Sequence, residues 1–384
     1  MHAKFIITFI VYSRISIKIY LYLRNKPSQN LRFIRGLYLL AKHPQIIKDI
    51  ISRKKRHEIR EHVLRLDKLS LHKKNVAECN RYINFMKKAG LTSVPNKFLV
   101  PKERLNSICN IEDWDRKEMK DILDQITAEG NINLEGWEYS ISNVKTPLIH
   151  RKDWEWAMGI LAMRKLGKLN ERTTALGIGA GKEVVLYYLA NHVKEVFSSD
   201  LYGTPNWKFF PPIDFPTNPK RYAPFPFRYQ RLMVLRMDGR KIAFAESSFD
   251  VVFSFSSIEH FGGGDHAGAL ESLKEMERVL KPGGVAVITT EYILNGKEHK
   301  DFFNEHTIYS DLIHGVERLK LVGPLDTAIS ADTLDTVMDV EDAVKWDTNK
   351  LTYEYKMKHP YIVLRYNNIL LTSVILVFQK ESTK

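Results

Sequence analysis

Cysteine is nearly missing from this chain of 384 residues: Cys79 and Cys109 are the only two, and neither has metal-ligand spacing around it. A disulfide framework is thereby excluded, and a reducing cytoplasm becomes the default compartment. Long apolar runs are missing as well. Phe5–Tyr12 is uninterrupted but falls short of the ~20 residues a spanning helix needs, and Arg14 and Lys18 interrupt the apolar residues beyond it. No small-residue cleavage site comes after it, which argues against a secretory signal. Cations interleaved with aromatics leave two readings open there, an interfacial anchor at the inner face of the membrane and an ordinary packed segment. There is no internal repeat and no low-complexity tract.

Acidic residues are scarce in one region only. Residues 1–100 hold 22 Lys and Arg against 5 Asp and Glu, while the rest of the chain is slightly acidic. The net charge of +13 is therefore a property of the N-terminal quarter. Such a segment suits nucleic acid, anionic lipid or an acidic polymer, or it is a set of basic helices with solvated faces. A composition of 44% hydrophobic and 27% charged residues belongs to a globular chain able to bury a full core.

The chain reads as two regions. From Asn30 to Gly130 the pattern is helical, with Ile46, Ile47, Ile50 and Ile51 at helical spacing and glycines at 90 and 130 suited to C-caps. Residues 1–145 are taken as a basic, mainly helical accessory region. A different texture starts near His150. The run RKDWEWAMGILAMRKLG makes an amphipathic helix ending at Gly167, and short apolar runs then alternate with helical segments. That alternation predicts an α/β fold with a parallel sheet over 150–384. Strands are expected at 174–178, 195–199, 233–237, 251–255, 285–290, 319–323 and 370–379. Helices are expected at 182–191, 267–280 and 306–315.

In an open α/β sheet, ligands bind beyond the carboxyl ends of the strands. The first such end is TTALGIGAGKE (173–183), a strand turning into a helix around glycines. Gly179 and Gly181 admit close backbone approach, and the helix start presents unpaired N–H groups. Lys182 stands where a dinucleotide fingerprint needs its third glycine. Asp200, 21 residues after Gly179, closes the second strand at the spacing expected of a ribose-binding acid. Asp238, in LRMDG, ends the third, where a carboxylate can accept from an adenine amino group.

FDVVFSFSSIEHF (249–261) and ERVLKPGGVAVITTEY (277–292) complete the pattern. With the Phe249-Asp-Val-Val strand, the Glu259-His260 pair and the Leu280-Lys-Pro-Gly-Gly turn, residues 150–384 resemble the class I S-adenosylmethionine-dependent methyltransferases. The resemblance implies a Rossmann-like, seven-stranded, mostly parallel sheet with an antiparallel last strand. It also implies S-adenosyl-L-methionine as cofactor, wrapped by Gly177, Gly179, Ala180, Gly181 and Glu183. Asp200 and Leu201 would meet its ribose, Asp238 and Gly239 its adenine, and the backbone of Ser254, Phe255 and Ser256 its methionine end. No metal is implied.

Two departures stand out. The family often has an acid where Gly177 stands and a glycine where Glu183 stands. Glu183 is either a substitute charge or a first-turn glutamate favoured by the helix dipole. Methyl transfer to a hydroxyl needs a base within hydrogen-bond reach, and the candidates are His260 first, then His266, Glu291 and Tyr292. Asp265 reads as a turn and helix cap. The proline- and aromatic-rich insertion 203–231 reads as a lid, with Trp154 and Trp156 closing the other side. A second insertion, 326–366, ends in an Asn367-Asn368 hairpin turn.

Three functions fit these residues. One is methylation of an oxygen on a small molecule or glycan. Another is methylation of RNA gripped by the basic N-terminal region, although the fourth strand carries no Asn-Pro-Pro-Tyr-type motif. The third is a non-catalytic cofactor-binding scaffold. A nicotinamide dehydrogenase fits less well because of Lys182.

Overall fold

The computed structural model describes residues 104–129, 148–203, 211–263, 266–347 and 350–382. The expectations placed on residues 1–100, and that for Asp265, lie outside the described residues. Among the described residues, ten strands join in one sheet: β1 (Ser107–Ile108), β2 (Thr174–Ile178), β3 (Glu195–Asp200), β4 (Leu232–Arg236), β5 (Phe249–Phe255), β6 (Leu280–Ile293), β7 (Leu319–Leu321), β8 (Met338–Asp339), β9 (Leu364–Tyr366) and β10 (Ile369–Lys380). The main helices are α1 (Lys117–Glu129), α2 (Arg151–Lys165), α3 (Val184–His192), α4 (Ala267–Val279), α5 (Val340–Asp347) and α6 (Tyr353–Lys358).

The spatial order β4-β3-β2-β5-β6 is parallel throughout, and β10 then pairs antiparallel with β6 from Leu371 opposite Ile293 to Gln379 opposite Val285. Along its other edge β10 takes β9, β1 and β7 in succession. The expected seven strands are therefore β2 to β7 without the short additions, closed by β10, and β1, β8 and β9 extend them. The chain reverses between β2 and β5, because β3 leads one way from β2 and β5 lies on its other side. Ligand crevices form at such a switch point.

Helix α2 departs from the amphipathic expectation. Every residue from Trp154 to Met163 is buried, including Glu155. The helix lies between the sheet, where it meets β5, β6 and β10, and α1 on its outer side, so no face is left for water. The segment 104–129 is also part of this body, although the sequence placed it in the accessory region. Its β1 pairs with β10, and Trp154 Nε1 donates to Asp113 Oδ2 at 2.8 Å.

The helix expected at 306–315 is one turn, Glu305–Thr307, that widens into a π-helical turn over Ile308–Ile313. Asn304 Oδ1 caps it, accepting from Thr307 N at 3.0 Å. The hairpin turn is found as expected: Asn367 adopts φ 52° between β9 and β10.

Candidate active site

The turn after β2 is shaped by its glycines. Gly179 sits at φ +59°, and a Cβ there would lie 2.7 Å from Ser257 Cβ, so the β5 loop can approach only a bare backbone. Ser257 Oγ uses that closeness, donating to Gly179 O at 2.7 Å. Gly181 is left-handed too, at φ +49°, and its N–H donates to Asp200 Oδ2 at 2.9 Å. Asp200 Oδ1 accepts from Leu201 N at 2.6 Å. Burial pushes the Asp200 carboxyl up, against the pull of those two N–H groups. The structure thus brings Gly179, Ala180, Gly181, Asp200 and Leu201 together at one corner.

Asp238 is placed differently from the expectation. Its carboxylate is bound on both oxygens by Arg240, with Nε to Oδ1 at 3.1 Å and Nη2 to Oδ2 at 2.8 Å. Arg240 holds the carboxyl below its usual range. Next to it, Gly239 faces Ile178 and the Phe261 ring closely enough that no side chain would fit. Phe261 therefore bridges the glycine turn and the Asp238 loop.

The β5 and β6 ends carry the buried charge. Ser256, at φ 46°, donates its N–H to Thr289 O at 2.9 Å and its hydroxyl to Glu155 Oε2 at 2.7 Å. Glu155 also receives Thr289 Oγ1 at 3.1 Å, Ser373 Oγ at 2.5 Å and Lys152 Nζ at 3.2 Å. Lys152 reaches Phe255 O at 3.0 Å and Glu183 Oε1 at 2.7 Å. Arg151 donates to Glu291 Oε1 at 2.8 Å and to Ser373 Oγ at 2.9 Å. Ser254 is fully buried, and its hydroxyl has no partner.

Glu259 and Glu291 are buried neighbours, and Glu259 Oε1 and Glu291 Oε2 each lack another partner, so the two carboxyls cannot both stay ionised at low cost. Burial, then the charge of Glu291, drives the Glu259 carboxyl far upward, so Glu259 holds the proton. Burial, the largest single cause, would raise Glu291 as well, but the Arg151 charge and hydrogen bond, the Glu259 carboxyl and His260 together outweigh it, bring it to about 2 and keep Glu291 ionised. Thr290 Oγ1 donates to Glu259 Oε2 at 2.9 Å.

His260 Nε2 lies 3.8 Å from Glu259 Oε1, with its side chain about a third exposed at 32%. Burial lowers the imidazole pKa, opposed by the charges of Glu291 and Asp301. The other candidate bases are committed elsewhere. Tyr292 alternates to the opposite face from Glu291, is buried, and has its hydroxyl against Thr327; burial raises its pKa far above the usual range. His266 uses Nδ1 on Asp311 Oδ2 at 2.9 Å and Nε2 on Phe302 O at 3.2 Å. It borders a cavity of about 210 Å³ shared with His299, Phe302 and Asn304, between the start of α4 and the loop after β6.

The insertion 203–231 reaches the glycine turn, since Pro211 lies beside Gly181. Among the described residues 211–231, its rings mostly pack rather than line an opening. Phe215 and Phe225 are buried, Phe227 meets Tyr187 of α3 edge-on at 4.9 Å, and Tyr187 Oη donates to Pro219 O at 3.0 Å. Trp154 and Trp156 are likewise core residues.

Arg151, Lys152, Glu155, Ser257, Thr289 and Ser373 were missed in the sequence. One signal was present: a glutamate between two tryptophans in an apolar helix, WEW, is a charge that burial must pair.

Sheet order, glycine turn and acid-ended second strand define a class I, Rossmann-like methyltransferase domain. The family model for a methyltransferase domain matches residues 176–288, from β2 into β6. Over 123 residues the chain is 29% identical to the sterol 4-C-methyltransferase strm-1 of Caenorhabditis elegans, covering 30% of this chain and 30% of that protein. A candidate sarcosine dimethylglycine methyltransferase from Galdieria sulphuraria matches at 14% identity and TM-score 0.40, over 69% of this chain and 99% of that one. A geranyl diphosphate methyltransferase solved with its methyl donor matches at 11% identity and TM-score 0.38, over 59% and 85%.

S-adenosylmethionine is the cofactor of this class, and the residues present fit it. Asp200 keeps free acceptor capacity after its two N–H partners, since a carboxylate has about four lone-pair sites, enough for two ribose hydroxyls. The glycine turn leaves its backbone open, as nothing lies closer than 3.8 Å to a Cβ built on Gly181. At the end of β4 the Asp238 carboxylate is already held on both oxygens by Arg240, so an adenine amino group would have to share it.

Proposed function

We propose that the chain transfers a methyl group from S-adenosylmethionine to an oxygen of a small molecule or glycan, with His260 as the base. The observation that carries this reading is His260 itself. It lies in the short helical turn Ile258–Gly263 just beyond β5, keeps solvent contact, and has its imidazole pKa lowered by burial, against the charge of Glu291. The bound sulfonium supplies an electrophilic methyl group, so the chemistry of the transfer is the cofactor's. The protein contributes alignment and proton removal. As the acceptor oxygen forms its bond to the methyl carbon, its proton passes to the imidazole. When bound, S-adenosylmethionine would supply the methyl group and leave as its neutral thioether, keeping the electron pair of the carbon–sulfur bond. Glu291 and Asp301 then stabilise the imidazolium.

A second reading, methylation at carbon, is favoured by the strm-1 match, whose name states a sterol carbon as its target. Methyl-labelled cofactor offered with hydroxylated small molecules, glycans, sterols and RNA separates these readings. Label in an O-methyl product, lost in His260→Ala and in Asp200→Ala, supports the first. Label at carbon selects the second. Label in RNA, falling steeply with salt, would replace both, and no transfer to any acceptor would leave a scaffold.

A further inference from the structure

The loop after β6 folds back along the strand end it has just left. Phe303 N donates to Glu291 O at 3.1 Å, and Phe303 O accepts from Ile293 N at 2.7 Å, so residues 298–302 lie beside the end of β6. Asp301 of this loop is one of the charges acting on the His260 imidazole. Across from it, His260 and His266 share one connection, the one from β5 to α4. The cavity of about 210 Å³ between these two segments thus adjoins the candidate base.

Its wall is fixed by His266, which holds a left-handed conformation at φ 60°. Both ring nitrogens are spent, on Asp311 and on Phe302 O, and the ring stacks on Phe303 at 4.2 Å. A strained residue of this kind persists only where its surroundings hold it. His299 lies flat on Phe302, with centroids 4.4 Å apart and planes inclined by 14°. Its Nδ1 accepts from the N–H groups of Asp301 at 3.1 Å and Phe302 at 3.3 Å, which leaves the ring hydrogen on Nε2 as a donor. Among the described residues, that N–H, the Glu298 carboxylate and the Lys300 ammonium have no hydrogen-bond or ion-pair partner. All three residues border the cavity.

Size and chemistry narrow the occupant. Pockets for drug-sized ligands run from about 300 to 1,000 Å³, so this one takes a single ring-sized unit rather than a fused polycycle. An anion would meet Glu298 and a cation would meet Lys300, whereas a hydroxyl both donates and accepts. A neutral ring with several hydroxyls and an apolar C–H face satisfies all three groups and the ring stack together. A sugar ring has that chemistry.

We propose that this cavity is the acceptor subsite and takes a neutral glycosyl unit, its C–H face against the His299–Phe302 stack and its hydroxyls on His299 Nε2, Glu298 and Lys300. This rests on the methyltransferase reading of the chain and narrows its acceptor to a sugar hydroxyl.

The test is saturation-transfer NMR on the full chain with the methyl glycosides of glucose, galactose, mannose and rhamnose as probes. Benzoate and cyclohexanol are the controls, a planar anion and an apolar ring with one hydroxyl. Calorimetry with S-adenosylhomocysteine runs on the same samples. The wild type is expected to bind at least one glycoside above both controls, and His299→Ala to weaken it by about tenfold. Because His299 also holds its loop through Nδ1, Glu298→Ala and Lys300→Ala, at two exposed positions, are the second variants. Either should weaken the glycoside several-fold while S-adenosylhomocysteine affinity stays at the wild-type value. No glycoside binding in a wild type that binds S-adenosylhomocysteine overturns the proposal and leaves the methyltransferase reading intact. So does glycoside binding unchanged in both exposed-site variants, or a control that binds better than every glycoside. Glycoside binding without S-adenosylhomocysteine binding would instead remove the cofactor reading, and the acceptor role with it.

Discussion

Arg151 and Glu291 stand 140 positions apart in the chain, yet guanidinium and carboxylate meet at 2.8 Å where the start of α2 crosses the end of β6. The contact ties the helix before β2 to the strand beside β10, and it sets the charge state of the whole cluster.

Removing the cation should be costly. Arg151→Met leaves Glu291 buried without its counter-charge and also withdraws a donor from Ser373. A loss of about 3–5 kcal/mol in urea unfolding is expected. Arg151→Met with Glu291→Leu should recover much of it, because the stranded charge is then gone. Equal losses in the single and double variants would contradict this account.

Glu259 carries a pH signature. Its folded pKa is raised above the unfolded value, by burial first and by Glu291 second. At pH below the unfolded pKa both states hold the proton and nothing is lost. As pH rises past about 4.5, the unfolded chain releases its proton and the folded one does not, so stability declines until the folded pKa is reached. Glu259→Gln, which keeps a donor toward Glu291, should therefore raise the melting temperature. The gain should be absent near pH 4 and grow toward neutrality, by roughly 2–4 °C per kcal/mol.

His260→Ala should cut turnover by about 10²–10⁴-fold with S-adenosylhomocysteine affinity within about twofold of wild type. The neutral imidazole is the active form. Because burial lowers its pKa, the acid limb of the rate profile should fall below the ordinary histidine value of about 6.5. A limb above that value would point to a different base.

Gly177→Ala probes the closed acid position. The new methyl meets the Phe253 ring at 2.7 Å, and overpacking of this kind costs about 1–3 kcal/mol. Thermal unfolding measures it, and a neutral effect would mean that the ring has room to yield.

The sheet was legible in the sequence because β2, β3 and β5 are short apolar runs bounded by turn residues. That pattern is local and survives without knowledge of neighbours. The glycine turn and Asp200 were legible for a related reason: backbone freedom at Gly179 and a fixed spacing to the next strand end are both written along one stretch of chain. The base shortlist of His260, His266, Glu291 and Tyr292 was readable only as residue types near strand ends. Alternation along β6 put Glu291 and Tyr292 on opposite faces, and partners from Asp311 and Phe302 occupied His266.

The sequence by itself determined the alternation of strands and helices, the ligand-facing ends and the family they resemble. Tertiary structure alone decided which charges meet. Arg151, Lys152 and Glu155 look like an ordinary helix start until β5, β6 and β10 place Glu291, Thr289 and Ser373 against them. Glu183 reads as a first-turn glutamate until α2 brings Lys152 to it. Charge energetics depend on distance and on exclusion of water, and both arise only when segments far apart in the chain pack together.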